Sequence, residues 1–422
     1  MEKEVSEPQS TFCTKMIFIS FGFSTLLAWN AFISELPFFQ YFLEDMNPNV
    51  SFAFLNYILN ISFQFLLVWK KDLFSLKFQL FVGLIGSIAF IIAIPSCTML
   101  LGKNELHNIL ISGGLIVLMG FINALCQAGF FNFVSHFPLE MIVALSTGQG
   151  FSGIVMNIIQ YIVMACVVIE DEETKLVTCA WIFFGISAFI LLMNLIILFV
   201  CLNSDYFKYY LNEKKNNIEM TNEENSLNQK EEEQETNTEV TETNSTPKEI
   251  SFKELFFKIW DLNMLMVFLY IVTFSLFPNV LISQKLFSLD AYKVNTILIT
   301  YNSFDTIGRY IVGFLTPNKK TNMSIIIGRS ILIFTSIFNY YCQERLEWDI
   351  NITSILLLIN TALLACTNGM ATSLSFGLAP LSVEDEYKGQ AGTSLSFFLI
   401  VGLFLGSIIA FGVGEILSII KQ

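Results

Sequence analysis

Nine stretches of this chain are long enough to cross a hydrocarbon core, and none contains an Asp, Glu, Lys or Arg. They are residues 16–34, 46–69, 78–102, 106–139, 141–169, 176–204, 262–284, 350–383 and 389–414. Roughly 20 apolar residues in a helix span a bilayer, and inside lipid only helices and closed barrels satisfy every backbone polar group. Two further spans, about 293–316 and 322–342, are interrupted by charge, the first by Asp305 and Arg309 and the second by Arg329. The reading is an all-α, polytopic membrane protein of eleven transmembrane helices. Composition agrees, with 54% hydrophobic residues, 14% charged residues and a mean hydropathy of +0.61, outside the range of soluble domains.

The helices divide into six and five. The sequence predicts a cytoplasmic tail over 1–14, helices 1–6 over 15–202, an acidic loop over 203–258 and helices 7–11 over 259–422. The loop carries thirteen acids against seven lysines and few aromatic or branched residues, so it cannot bury enough surface to offset ordering entropy and is expected to be disordered. Lys and Arg counts give the orientation. With the N-terminus inside, fifteen fall in cytoplasmic segments and six in external ones, which places the C-terminus outside. The first span follows a polar tail, lacks a cleavage site and reads as a retained helix. The sequons at Asn49 and Asn351 then lie externally, where glycosylation can occur.

Several chemistries are disfavoured. A net charge of −13 offers no basic face for nucleic acid. The eight cysteines contain no CxxC pair and read as small packing residues, so neither a metal site nor a cofactor is expected. "GQGFSG" (148–153) has dinucleotide-turn spacing, but that motif needs a strand leading into a helix, and here it lies inside a charge-free helix. Its glycines read as packing residues. So do the stripes Gly402, Gly406, Ala410, Gly414 and Gly120, Ala124, Ala128, whose spacing lets helices approach closely. His107 and His136 have no partner at triad or ligand spacing, and a single deep aspartate is one short of an intramembrane aspartyl protease. No enzyme is expected.

"YNSFDTIGRY" (301–310) is different. Asp305 lies about 18 Å from either end of its span at the helical rise, too deep to reach water along the membrane normal, so the pair faces protein or a polar cavity. Asp305 and Arg309 share one helix face in the favoured order, with Asn302 a turn earlier. Either they form a structural ion pair or they line a substrate path, Asp305 accepting and Arg309 donating hydrogen bonds to hydroxyls. Asn30, Gln127, Gln149 and Asn368 are the other polar groups at depth. A plan of two bundles around a midplane site is common among transporters.

Six motifs, in order, resemble the equilibrative nucleoside transporters, eleven-helix proteins related to the major facilitator fold. They are "LLAWNAFI" (26–33), "NALCQAGFFNFVSHFPLEMIVALSTGQGFSGI" (123–154), "VTFSLFPNV" (272–280), "YNSFDTIGRY", "TNGMATSLSFGLAP" (367–380) and "AGTSLSFFLIVGLFLG" (391–406). The resemblance implies facilitative transport of nucleosides, and of nucleobases as a wider option, by alternating access in a monomer, most simply at the plasma membrane. It also implies a site. Leu26, Trp29 and Ile33 form an apolar wall under the base, Gln127 hydrogen-bonds it, and Asn302, Asp305 and Arg309 surround the ribose, with Phe277 nearby. Ala28 stands where the family has proline and Leu298 where an aromatic is common, departures that bear on base selectivity. Alternatives left open are a hexose or other polar solute, proton coupling, and a receptor that moves nothing.

Overall fold

A computed structural model describes residues 11–46, 48–70, 73–211, 252–277, 279–287 and 293–421. The long helices are α1 (Phe12–Ser34), α2 (Pro48–Trp69), α3 (Leu76–Leu100), α4 (Leu106–Val134), α5 (Leu139–Cys166), α6 (Glu172–Cys201), α7 (Trp260–Leu276), α8 (Lys293–Ile311), α9 (Lys319–Glu344), α10 (Ile350–Leu381) and α11 (Lys388–Lys421). Local chemistry sets several starts. Thr11, Ser75, Asp171 and Asp349 each accept a hydrogen bond from a first-turn backbone N–H, satisfying donors that a helix start leaves open.

Among the described residues, ten helices are long and apolar enough to cross a membrane. The eleventh, α8, is not one of them, because Lys293, Asp305 and Arg309 interrupt its nineteen residues. It stops at Ile311 and passes into a short 3-10 turn, Val312–Phe314, short of the 316 read from sequence.

Other boundaries also shift. The runs 106–139 and 141–169 are divided at residues 135–138, where Pro138 caps α5; proline has no N–H to continue a helix. The run 262–284 breaks at Phe277, whose backbone is extended (φ −102°, ψ 133°), and helix resumes at Asn279–Ser283. The proline that follows Phe277 in sequence disfavours helical backbone in the residue before it. α9 divides at Arg329 into Lys319–Gly328 and Ile331–Glu344. The tail and the centre of the acidic loop, 212–251, fall outside the described residues, while the loop's margins are helical at 205–211 and Phe252–Lys258.

Helix pairing follows a repeating rule. α1 packs on α5 and α7 on α11; α2 packs on α4 and α8 on α10; across the middle, α5 meets α8 and α11 meets α2. Exchanging each helix n with helix n+6 maps every one of these pairings onto another. The ion pair Lys15–Glu140 ties the start of α1 to that of α5, and Lys258–Glu384 and Lys319–Asp261 tie the start of α7 to those of α11 and α9. The predicted packing glycines serve these pairings. A Cβ on Gly120 would strike the backbone of Asn56 on α2, and one on Gly402 would stand 2.8 Å from the Val267 carbonyl on α7.

Candidate functional site

α8 carries the polar stripe inward. Asp305 and Arg309 are each 5% exposed, and Arg309 Nε donates to Asp305 Oδ2 at 2.7 Å. The other carboxylate oxygen accepts from Asn368 Nδ2 on α10 at 2.8 Å. Arg309 Nη1 reaches across to α5, within hydrogen-bond distance of Ser146 O (3.2 Å), Ser146 Oγ (3.0 Å) and Gln149 Oε1 (3.2 Å). Every acceptor of the guanidinium outside the pair is therefore neutral. α8 and α5 come this close because α5 lacks side chains at the contact: a Cβ on Gly150 would stand 2.5 Å from Thr306 Oγ1, and one on Gly153 2.6 Å from the Asn302 side chain. The "GQGFSG" segment is thus a packing seam between α5 and α8.

Above this seam lies a cavity of about 170 Å³. The eight residues singled out from sequence all line it: Leu26, Trp29 and Ile33 from α1, Gln127 from α4, Phe277 at the break after α7, and Asn302, Asp305 and Arg309 from α8. Asn30, Gln149 and Asn368 join them. All three are committed to neighbours, Asn30 Nδ2 donating to Ser152 Oγ at 2.5 Å, Gln149 Nε2 to Thr25 Oγ1 at 3.0 Å and Asn368 Nδ2 to Asp305. Gln127 makes no hydrogen bond among the described residues, which leaves both ends of its amide for a ligand.

The sequence reading missed part of the wall. Asn56, Tyr57 and Asn60 on α2, Asn123 on α4, Tyr270 on α7 and Tyr301 on α8 also line the cavity. Asn123 Nδ2 donates to Asn56 Oδ1 at 3.0 Å, and Tyr301 stacks on Phe277 with ring centroids 3.9 Å apart. The available signal was asparagine recurring at 56 and 60, one helical turn apart in an apolar run. Leu298, where the family favours an aromatic, is not among the lining residues.

The cavity ends toward the α4–α5 turn. Phe131, one turn beyond Gln127, stacks on Phe376 of α10 with centroids 3.6 Å apart and planes at 7°. Beside it Ser146 Oγ and Ser373 Oγ share a hydrogen bond of 2.7 Å. The first contact joins α4 to α10 and the second joins α5 to α10. No cluster of three or more His, Cys, Asp or Glu able to hold a metal ion occurs among the described residues.

Among the described residues, helices long enough to cross a membrane enclose a central cavity with a buried ion pair on its wall. Solved structures share that fold. The chain is similar to the major facilitator transporter FucP in its outward conformation (TM-score 0.58, 15% identity, 96% of this chain and 92% of that one). It is also similar to the proton:xylose symporter XylE bound to 6-bromo-6-deoxy-D-glucose (TM-score 0.63, 12% identity, 96% and 89%). The family model described as nucleoside transporter matches residues 114–414, and the chain belongs to that family. It is 26% identical over 410 residues to equilibrative nucleotide transporter 1 of Arabidopsis thaliana, covering 94% of this chain and 84% of the relative. With equilibrative nucleoside transporter 1 of Homo sapiens it shares 23% over 442 residues, covering 94% and 95%.

Proposed function

We propose that this protein carries nucleosides, and nucleobases as smaller cargo, across a membrane by facilitated alternating access. The observation that carries this reading is the division of one cavity into an aromatic and carboxamide side and an ionised side. A nucleoside has the same two parts. The base rests against Leu26, Trp29 and Ile33 and is hydrogen-bonded by Gln127. The sugar hydroxyls meet Asn302, Asp305 and Arg309, the carboxylate accepting and the guanidinium donating, with Phe277 and Tyr301 closing the adjoining side.

Transport then follows from the seam. Arg309 belongs to the second half but donates to Ser146 and Gln149 of the first, so rocking apart must exchange those bonds for others. A sugar hydroxyl beside Arg309 supplies an acceptor at that step. In this reading α8 also crosses the membrane, making eleven spans, residues 15–202 and 259–422 form the two halves, and the N-terminus is cytoplasmic. The stack of Phe131 on Phe376 then closes the cytoplasmic side, and the structure faces outward. The protein acts as a monomer, at the plasma membrane.

The test is uptake into cells expressing the chain. Labelled uridine or adenosine accumulates to equilibrium and no further, uracil is carried less well, and glucose is not carried. The 3'-deoxynucleosides compete about 10-fold or more worse than their ribose counterparts, because a site built for a hydroxyl is left unpaired without it. Glucose uptake without nucleoside uptake overturns the substrate; equal competition by ribose and 3'-deoxy compounds overturns the role given to Asp305 and Arg309.

A further inference from the structure

Arg329 interrupts α9 where its two segments meet, yet its side chain is 3% exposed and does not line the cavity. Among the described residues no carboxylate stands within ion-pair distance of it. Its Nη2 donates to the Leu364 carbonyl at 2.9 Å, and its Nη1 donates to Asn368 Oδ1 at 3.3 Å. Asn368 is the residue whose Nδ2 donates to Asp305 Oδ1.

A carboxamide has opposite ends, so holding the oxygen aims the nitrogen. Thr273 Oγ1 also lies 2.8 Å from Asn368 Oδ1, but it is 2.9 Å from the Leu269 carbonyl as well. A hydroxyl has one proton, and it can serve only one of these acceptors at a time. Arg329 Nη1, at the longer distance of 3.3 Å, is the donor to that oxygen that has no competing acceptor among the described residues. A cation on that oxygen also polarises the amide and strengthens the N–H donated at its far end. Burying a guanidinium with no countercharge beside it is costly, and a mere bolt between α9 and α10 needs no charge.

We infer that Arg329 is a positioning residue for substrate: acting through Asn368, it holds the Asp305 carboxylate in the orientation that receives a sugar hydroxyl. The inference rests on reading Asp305 and Arg309 as the hydroxyl-binding pair. It predicts an effect confined to one part of the ligand, which a structural role would not produce.

The experiment uses the full chain reconstituted in liposomes, with Arg329→Gln, Arg329→Lys and Asn368→Asp beside wild type and melting temperatures measured for each. Uridine and 3'-deoxyuridine compete against labelled uridine. Arg329→Gln weakens uridine about 10-fold, the scale of one charge-assisted hydrogen bond, and 3'-deoxyuridine less than about twofold, so discrimination collapses. Arg329→Lys keeps a cation near Asn368 Oδ1 and retains part of it. Asn368→Asp removes the N–H donated to Asp305 and gives the same collapse, and where Arg329→Gln fails to fold, the partial loss in Arg329→Lys decides the role of Arg329. Wild type that does not discriminate overturns the hydroxyl-binding pair and this inference with it. Wild type that discriminates, with variants that keep the ratio or lose both compounds equally, overturns the role of Arg329 alone.

Discussion

From α1 to α6 the cavity wall is apolar and neutral, built on Leu26, Trp29 and Ile33 with the carboxamides Asn56, Asn60, Asn123 and Gln127; from α7 to α11 it holds both ionised side chains, Asp305 and Arg309. The difference shows how a moving seam accommodates charge. An ion pair split across two halves would strand both members each time the halves parted, at several kcal/mol apiece. Here the members stand four residues apart on one helix, and the pair travels whole. What it donates across the seam ends on the neutral oxygens of Ser146 and Gln149, acceptors that a hydroxyl or water can replace.

Breaking the charged side gives the largest effect. Asp305→Asn and Arg309→Gln should each cut nucleoside uptake about 100-fold or more at equal surface amount, through a lost charge-assisted bond and a stranded partner. The double variant should reach the membrane and remain inactive; full activity in it would reduce the pair to scaffolding and erase the contrast between halves. Prying the seam comes next. Gly153→Val would drive a side chain into Asn302, and the cost is about 1–3 kcal/mol of overpacking, seen as a lower melting temperature together with a raised KM.

Gln127→Ala sharpens the comparison from the neutral side. It should raise KM about 10-fold for a loss of base contacts while the ratio between ribose and 3'-deoxy compounds stays fixed; a changed ratio would mean that the halves do not divide the ligand. The smallest effect belongs to Glu35, just past the end of α1, a buried acid of the first half that does not line the cavity. Burial pushes its carboxyl up to about 8, so the fold favours the protonated form. Stability should be highest at acid pH and decline as pH rises from about 4.5 towards 8. Glu35→Gln should flatten that decline in a melting series and leave KM unchanged.

The helical class and the charged stripe were legible because both are written in residue type. Charge-free runs locate spans, and an acid and an arginine four apart inside one must share a face. The neutral wall was less legible. Asn56, Asn60 and Asn123 sit in apolar helices where an asparagine reads alike whether it meets a neighbour or a cavity; only packing decides its direction. Scanning for charge also passes over proline, which is why the turn at 135–138 and the break at Phe277 were absorbed into longer runs. That break matters to the site, since it leaves Phe277 with extended backbone and stacked on Tyr301. Glu35 escaped for the opposite reason: a residue at a span's end reads as exposed, and the fold buries it.

The arrangement of Asp305, Arg309 and Arg329 has an electrical consequence. Two guanidiniums and one carboxylate leave the buried set one positive charge in excess. A unit charge crossing the whole membrane field responds by about 2.3 kcal/mol per 100 mV, so a displacement through a tenth of the field responds by only about 0.2 kcal/mol. Net uptake of a neutral solute would therefore be almost indifferent to membrane voltage. The conformational step would still carry a small capacitive current, and that transient would diminish when Arg329 is neutralised.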